Sequence, residues 1–282
     1  MLTQHIALVS KTRKIKTSDL NKVAAALQKQ ATRDLGPIWD IQATVDPFEK
    51  LKDVPMGYWP IIIREKIDDP SAAGYHSDKY RQPFALVAYD EGWALTCSHE
   101  MCEMLVDPFG NRMVSSGSVK QGQGRVNYLV EVCDPSESDK FSYSVNGIML
   151  SDFYTPNYFD PVTSSGVRYS FTGCITAPKQ VLKGGYLSWL DPATAKWWQA
   201  SYFGSKLIYQ EITSSMDLLQ GNLRSRVDRI TATPQKLQGI SKETAQRNKK
   251  QMESQNTSGD KMQIHWEEEV NRLIRPARVT RR

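Results

Sequence analysis

The chain has 282 residues, is 40% hydrophobic and 10% aromatic, and carries a formal net charge of +5. That composition belongs to a globular protein rather than a disordered or fibrous one, and the length allows one large domain with a tail. The longest apolar runs, such as IIIR at 61–64 and FALVAY at 84–89, are far shorter than the roughly 18–20 residues a bilayer span needs, so no membrane span is expected.

The N-terminal MLTQHIALVSKTRKIK has its basic residues after a short apolar patch rather than before it. This is the wrong order for a secretory signal, and a cytoplasmic location is expected. From Ser18, residues Leu20, Val23, Ala24, Leu27 and Ala31 recur at helical spacing, which predicts an amphipathic helix ending before Gly36-Pro37. IWDIQATVDPF and YWPIIIREKI read as strands, DDPSAAGYHSDKYRQP as a polar loop, and FALVAYDE as an interior strand. WALTCSHEMCEMLV then returns to helical periodicity, with Cys97, Met101, Met104 and Leu105 apolar. Asp107-Pro108 ends it, because a residue before proline avoids the α region.

Downstream, GNRMVSSGSVKQGQGR reads as a loop and NYLVEVCDP as a strand. Residues 140–215 hold short aromatic strands and turns, with an Asn-Gly hairpin in SVNGIML. From Asn222 onward the chain has 14 Lys plus Arg against 7 Asp plus Glu, so the positive charge is concentrated at the C-terminal end. We expect a catalytic domain over 1–215 and a basic, flexible, partly disordered tail over 216–282, with a helix at IHWEEEVNRLI. Such a tail could contact a protein partner or nucleic acid. Cys97, Cys102, Cys133 and Cys174 form no CxxC pair, which points to free thiols in a reducing compartment.

The chemistry concentrates in SHEMCEML. On a helix, residues four apart share a face, so His99 and Glu103 project together and could hold one metal ion. Glu100 lies about 100 degrees further round the axis, beside such an ion, where a general base belongs. A carboxylate in place of a second histidine is an acceptable zinc ligand but makes a bound water less acidic. His-Glu-x-x-Glu alone is a weak pattern that chance produces on many helices. What strengthens it is the apolar company of these charges, which would need partners if buried.

A catalytic zinc takes about three protein ligands. Glu131 is the favoured third, with Asp134 as the alternative or as the group orienting His99. Cys133 ranks lower, since buried cysteine is usually core. Asp107 could ligate or simply end the helix. His76 could bind substrate or stabilise an oxyanion, although a loop histidine is commonly just solvated.

The succession GYH, PFALV, SHEMCEMLVDP, YLVEVCDP, SDFYTP and KGGYLS, together with LQKQATRDLGPIW, resembles a family of bacterial zincin-like proteins with a SHExxEML-DP signature. A similar order of elements occurs more distantly in the phosphate-induced extracellular proteins of plants. The resemblance covers roughly residues 15–190. It implies an α+β zincin-like fold with a mixed sheet and an active-site helix. It also implies a metallopeptidase site in which His99, Glu100 and Glu103 match the motif residue for residue.

The expected function is therefore zinc-dependent hydrolysis of a peptide or protein substrate, with Zn2+ or another divalent metal on His99, Glu103 and Glu131 or Asp134, Glu100 as base and His76 assisting. The competing expectation is a non-catalytic, metal-stabilised binding module acting through the basic tail.

Overall fold

The computed structural model of the protein describes residues 2–68, 72–231, 241–247, 249–251, 253, 254 and 268. The chain opens on a strand, β1 (Gln4–Ser10), whose residues Ile6, Ala7, Leu8 and Val9 are fully buried. The apolar patch near the N-terminus is thus an interior strand of the first sheet.

Helix α1 (Thr17–Lys29) follows the predicted periodicity and buries Leu20, Val23, Ala24, Ala26 and Leu27. The predicted stop before Gly36-Pro37 is not where helical structure ends. A π-helical stretch over Gln30–Leu35 leads into α2 (Gly36–Trp39). Proline is tolerated at the start of a helical segment, where its missing N–H has no partner to lose. Gly36 permits the tight passage, because a Cβ there would stand 2.6 Å from the Ile41 carbonyl oxygen and 2.9 Å from that of Ala31. The chain reverses at Asp40, with φ 54°, and the strand predicted from Ile38 shortens to β2 (Ala43–Phe48).

β3 (Trp59–Arg64) lies where it is predicted. The polar loop predicted to follow instead contains a strand, β4 (Gly74–Lys79), paired antiparallel with β5 (Gln82–Ala88). Tyr80 and Arg81, both at positive φ, make the two-residue connection that suits the twist of a hairpin. The sheet order is β2-β1-β3-β5-β4. The first four strands run parallel, and β4 is an antiparallel edge.

Helix α3 (Trp93–Val106) is the predicted motif helix and is buried along nearly its whole length. Its position is set by a buried network. Ser98 Oγ donates to Gln30 Oε1 at 2.8 Å, Gln30 Nε2 donates to the Ser151 carbonyl at 3.0 Å, and Ser151 N–H donates to Ser98 Oγ at 2.8 Å. These bonds tie the π-helical stretch, α3 and the segment after the later hairpin into one unit.

The loop predicted at 110–125 contains β6 (Met113–Gly117), which pairs with β7 (Arg125–Leu129). The strand predicted through Pro135 is shorter: β7 ends at Leu129, Val130 N–H makes a last bond to the Arg112 carbonyl at 2.9 Å, and residues 131–134 turn toward α3. The Asn146-Gly147 hairpin forms as predicted between β8 (Tyr143–Val145) and β9 (Ile148–Leu150). Its two turn residues have φ 51° and 78°, as the Asn-Gly pair favours.

β10 (Tyr186–Asp191), β11 (Lys196–Ser201) and β12 (Ile208–Glu211) complete a second, antiparallel sheet of order β12-β11-β10-β7-β6. Two helices follow, α4 (Thr213–Leu218) and α5 (Leu223–Thr231). The end of α4 and all of α5 lie in the stretch predicted as flexible tail, 216–282, yet Met216 and Val227 pack, with Ile212 before them, against Leu129, Tyr186 and Trp197 of the second sheet. The helix predicted at 264–274 lies outside the described residues, Glu268 apart.

The architecture is mixed α+β. One core joins the first sheet, α1 and α3 to β7 and β10, and α3 runs through its middle. No described helix is long and apolar enough to cross a membrane.

Candidate metal centre

The end of α3 places His99 and Glu103 on one face, with His99 Nε2 3.2 Å from Glu103 Oε2. The segment leaving β7 delivers the other acids. Asp134 Oδ1 stands 3.3 Å from the same imidazole nitrogen, and one oxygen each of Glu103, Glu131 and Asp134 lie within 4.8 Å of one another. Both candidates for the third ligand are therefore present together. The early end of β7 explains this, since a continued strand would have turned Glu131 and Asp134 to opposite faces. Gly185 allows the close packing here, because a Cβ on it would lie 2.5 Å from the carbonyl oxygens of Asp134 and Pro135.

These separations fit shared coordination. Ligand bonds of roughly 2.0–2.1 Å in a tetrahedral site put donor atoms about 3.4 Å apart. Cys133 Sγ also falls within 4.8 Å of donor atoms of His99 and Glu103. Its backbone N–H is 3.2 Å from Glu103 Oε1, so the residue orients the carboxylate, and burial holds its thiol well above the usual range.

Glu100 lines an adjoining cavity of about 470 Å³, together with His99, Gly74, Glu137, Lys183 and Arg224. His76 is placed differently from expectation. It is fully buried on β4, with Nε2 2.9 Å from the Asp107 carbonyl oxygen and Nδ1 3.7 Å from Glu100 Oε2. The described lining of the cavity does not include it, so it stands behind the carboxylate rather than facing a substrate. Asp107 ends the helix, and its Oδ2 accepts a bond from the Arg112 N–H at 2.7 Å.

One residue escaped sequence reasoning. Arg224, in the first turn of α5, is 2% exposed, and its Nη1 donates to both Glu103 Oε2 and Glu131 Oε2. Nη2 lies 3.5 Å from Glu100 Oε2 and Nε 3.1 Å from Asp228 Oδ2, while Tyr186 Oη donates to Asp228 Oδ1 at 2.9 Å. The signal for this helix is modest: Leu223, Val227 and Ile230 recur at helical spacing, and Arg224 and Asp228 form an i,i+4 pair.

The carboxylates of Glu100, Glu103, Glu131, Asp134 and Asp228 thus face one guanidinium and two imidazoles, those of His99 and His76. The titration of the cluster follows from burial and from that imbalance. Burial alone would raise Glu103, but Arg224 and then His99 hold it well below the ordinary carboxylate range. Burial and the neighbouring Glu103, Asp134 and Asp107 push Glu131 well above that range, against the pull of Arg224. Burial would lower His99, yet Glu103 and Asp134 raise it well above its usual value.

An excess of buried acid over base fits a site for an additional cation, and Glu131 Oε1 has no hydrogen-bond partner among the described residues. The donor set of His99, Glu103, Glu131 and Asp134 is suitable for a divalent metal of the zinc class and, being oxygen-rich, for a harder ion as well. Comparison of the chain with protein-family models, with curated proteins and with solved structures finds no match.

Proposed function

We propose that the protein is a metal-dependent hydrolase, with a zinc peptidase of zincin-like fold as the specific reading. The observation that carries it is that His99 stands 3.2 Å from Glu103 and 3.3 Å from Asp134, while Glu103, Glu131 and Asp134 bring one oxygen each within 4.8 Å of one another, beside a cavity that His99 and Glu100 line. The mixed sheet with a single antiparallel edge strand next to the motif helix supports the fold part of the reading.

His99, Glu103 and one or both of Glu131 and Asp134 would hold the ion. When bound, a divalent cation supplies Lewis acidity toward a carbonyl and lowers the pKa of water. Glu100, at the cavity wall, takes the proton of the attacking water and delivers it to the leaving amine. His76 positions Glu100 from behind. Its Nε2–H donates to the Asp107 carbonyl, which fixes the ring, and the ring packs against the carboxylate with Nδ1 3.7 Å from Oε2, limiting the room in which Glu100 can turn.

The test is metal analysis of the purified protein together with peptide-library cleavage by wild type and Glu100→Gln. Cleavage by wild type only, at equal metal content, supports the enzyme. Bound metal with cleavage by neither protein, even after release of the contact described below, removes the enzyme and leaves a metal-stabilised module.

That second reading has one observation of its own. α5 belongs to the basic C-terminal stretch and inserts Arg224 among the donors, which would suit a module whose tail reports on the metal.

A further inference from the structure

Arg224 does more than neutralise the cluster. The oxygens its Nη1 holds, Glu103 Oε2 and Glu131 Oε2, belong to two of the candidate metal ligands. Glu103 Oε2 is also the oxygen that stands 3.2 Å from His99 Nε2. A nitrogen bonded to two carboxylate oxygens at once occupies the place between them where a cation would lie.

We infer that Arg224 is a built-in competitor for the metal: its guanidinium and a divalent cation exclude one another, so filling the centre requires Arg224 to withdraw. This rests on the metal reading above.

The surroundings of α5 suit such a movement. Gly221, at φ 115°, is a conformation that side chains resist, and it precedes Asn222, whose Oδ1 accepts the Ser225 N–H at 2.8 Å and starts the helix. Gly110 makes room on the other side, since a Cβ there would lie 2.8 Å from Asn222 Nδ2 and 3.0 Å from Arg224 Cβ. Asp228, held by Tyr186, is the alternative anchor already in contact with the guanidinium. The following stretch reaches the cavity as well. Ser241 lines it, and its N–H donates to Asp139 Oδ2 at 2.8 Å on the rim. The C-terminal part of the chain therefore meets the site from inside and from its mouth.

The experiment titrates full-length protein with Zn2+ by calorimetry and follows amide hydrogen exchange. Wild type is expected to bind one ion, and Arg224→Gln to bind it at least tenfold more tightly. Arg224→Lys, which keeps the charge but loses the two-pronged reach, is also expected to bind more tightly than wild type. In wild type, saturating Zn2+ should speed exchange over 223–231 while protecting 97–106.

Asp228→Asn leaves every proposed ligand in place but removes the anchor that would receive the withdrawn guanidinium. It should weaken binding several-fold, and it serves if the Arg224 variants do not fold. Tighter binding by Arg224→Gln with Arg224→Lys equal to wild type would show a charge acting at a distance and overturn the displacement. Equal affinity in all variants, or slower exchange of α5 on binding, would overturn it too. Absence of Zn2+ binding by every protein, folded variants included, would overturn the metal reading itself.

Discussion

The imidazole of His76 stands directly behind the Glu100 carboxylate, Nδ1 to Oε2 at 3.7 Å, while its Nε2 is tied to the Asp107 carbonyl at 2.9 Å. The proposed base is thus supported from the strand beside it, not from its own helix. A positioned general base contributes roughly 10²–10⁴-fold to a rate. Glu100→Gln should lower kcat by about that factor with metal content unchanged. His76→Phe should change kcat and its pH profile more than KM, since the ring does not line the cavity. A His76→Phe enzyme with wild-type kcat and pH profile would remove the positioning role.

Breaking the pair at the centre should be costly in the metal-free protein. Glu103→Ala leaves the Arg224 guanidinium buried with one fewer partner, and loss of one member of a buried ion pair costs about 3–5 kcal/mol. Urea unfolding in chelator should show that loss. Glu131→Gln, which replaces a carboxyl already biased toward its neutral form, should cost clearly less. Equal losses would mean that the two acids share Arg224 evenly.

The stability of the metal-free protein should depend on pH at both ends. Glu103 titrates below its ordinary 4.5 in the fold, so its contribution is present above about pH 4.5 and is lost as the pH falls through the depressed value. His99 titrates above 6.5, so its contribution is full below about pH 6.5 and is lost as the pH rises through the elevated value. Glu131, raised above 4.5, binds its proton more tightly folded than unfolded and adds to the alkaline loss. Urea midpoints measured in chelator should therefore fall on both sides of a near-neutral optimum, and His99→Gln should flatten the alkaline side.

Gly74 is a steric requirement of the site. A Cβ there would meet Thr96 Cγ2 at 2.6 Å and Glu100 Oε1 at 3.1 Å. Overpacking of this kind costs about 1–3 kcal/mol, so Gly74→Ala should lower Tm and impair Glu100 together. Removing the methyl group with Thr96→Ser in the same chain should restore most of the Tm. No rescue would place the strain in the backbone of β4 instead.

The α3 helix, its stop at Asp107 and the Asn146-Gly147 hairpin were legible because their signals are local: periodicity, a residue before proline, and a turn pair that tolerates positive φ. β4 was not legible. Its pattern GYHSDK is polar, and it is a strand because it pairs with the apolar β5. β6 was hidden for the same reason, lying in a serine-rich stretch that pairs with β7. The N-terminal strand looked like a stray apolar patch because its parallel neighbours, β2 and β3, come after a helix.

Within the site, His99, Glu100 and Glu103 follow from one helix and its spacing, and both acids from the next apolar segment proved to be close. That Glu131 and Asp134 arrive together depended on where β7 leaves its ladder, which no alternation pattern states. Arg224 lies 121 positions from Glu103, in a stretch whose composition resembles a solvated tail.

The helical spacing of SHEMCEML was enough to align an imidazole with a carboxylate, because i,i+4 geometry is a property of the local backbone. The identity of the cation they face is a different matter. It depends on α5 folding back across the second sheet and burying a guanidinium among four acids, and burial is what turns a weak surface attraction into a strong one. The tertiary structure alone brings those charges out of water and into competition for the same oxygens.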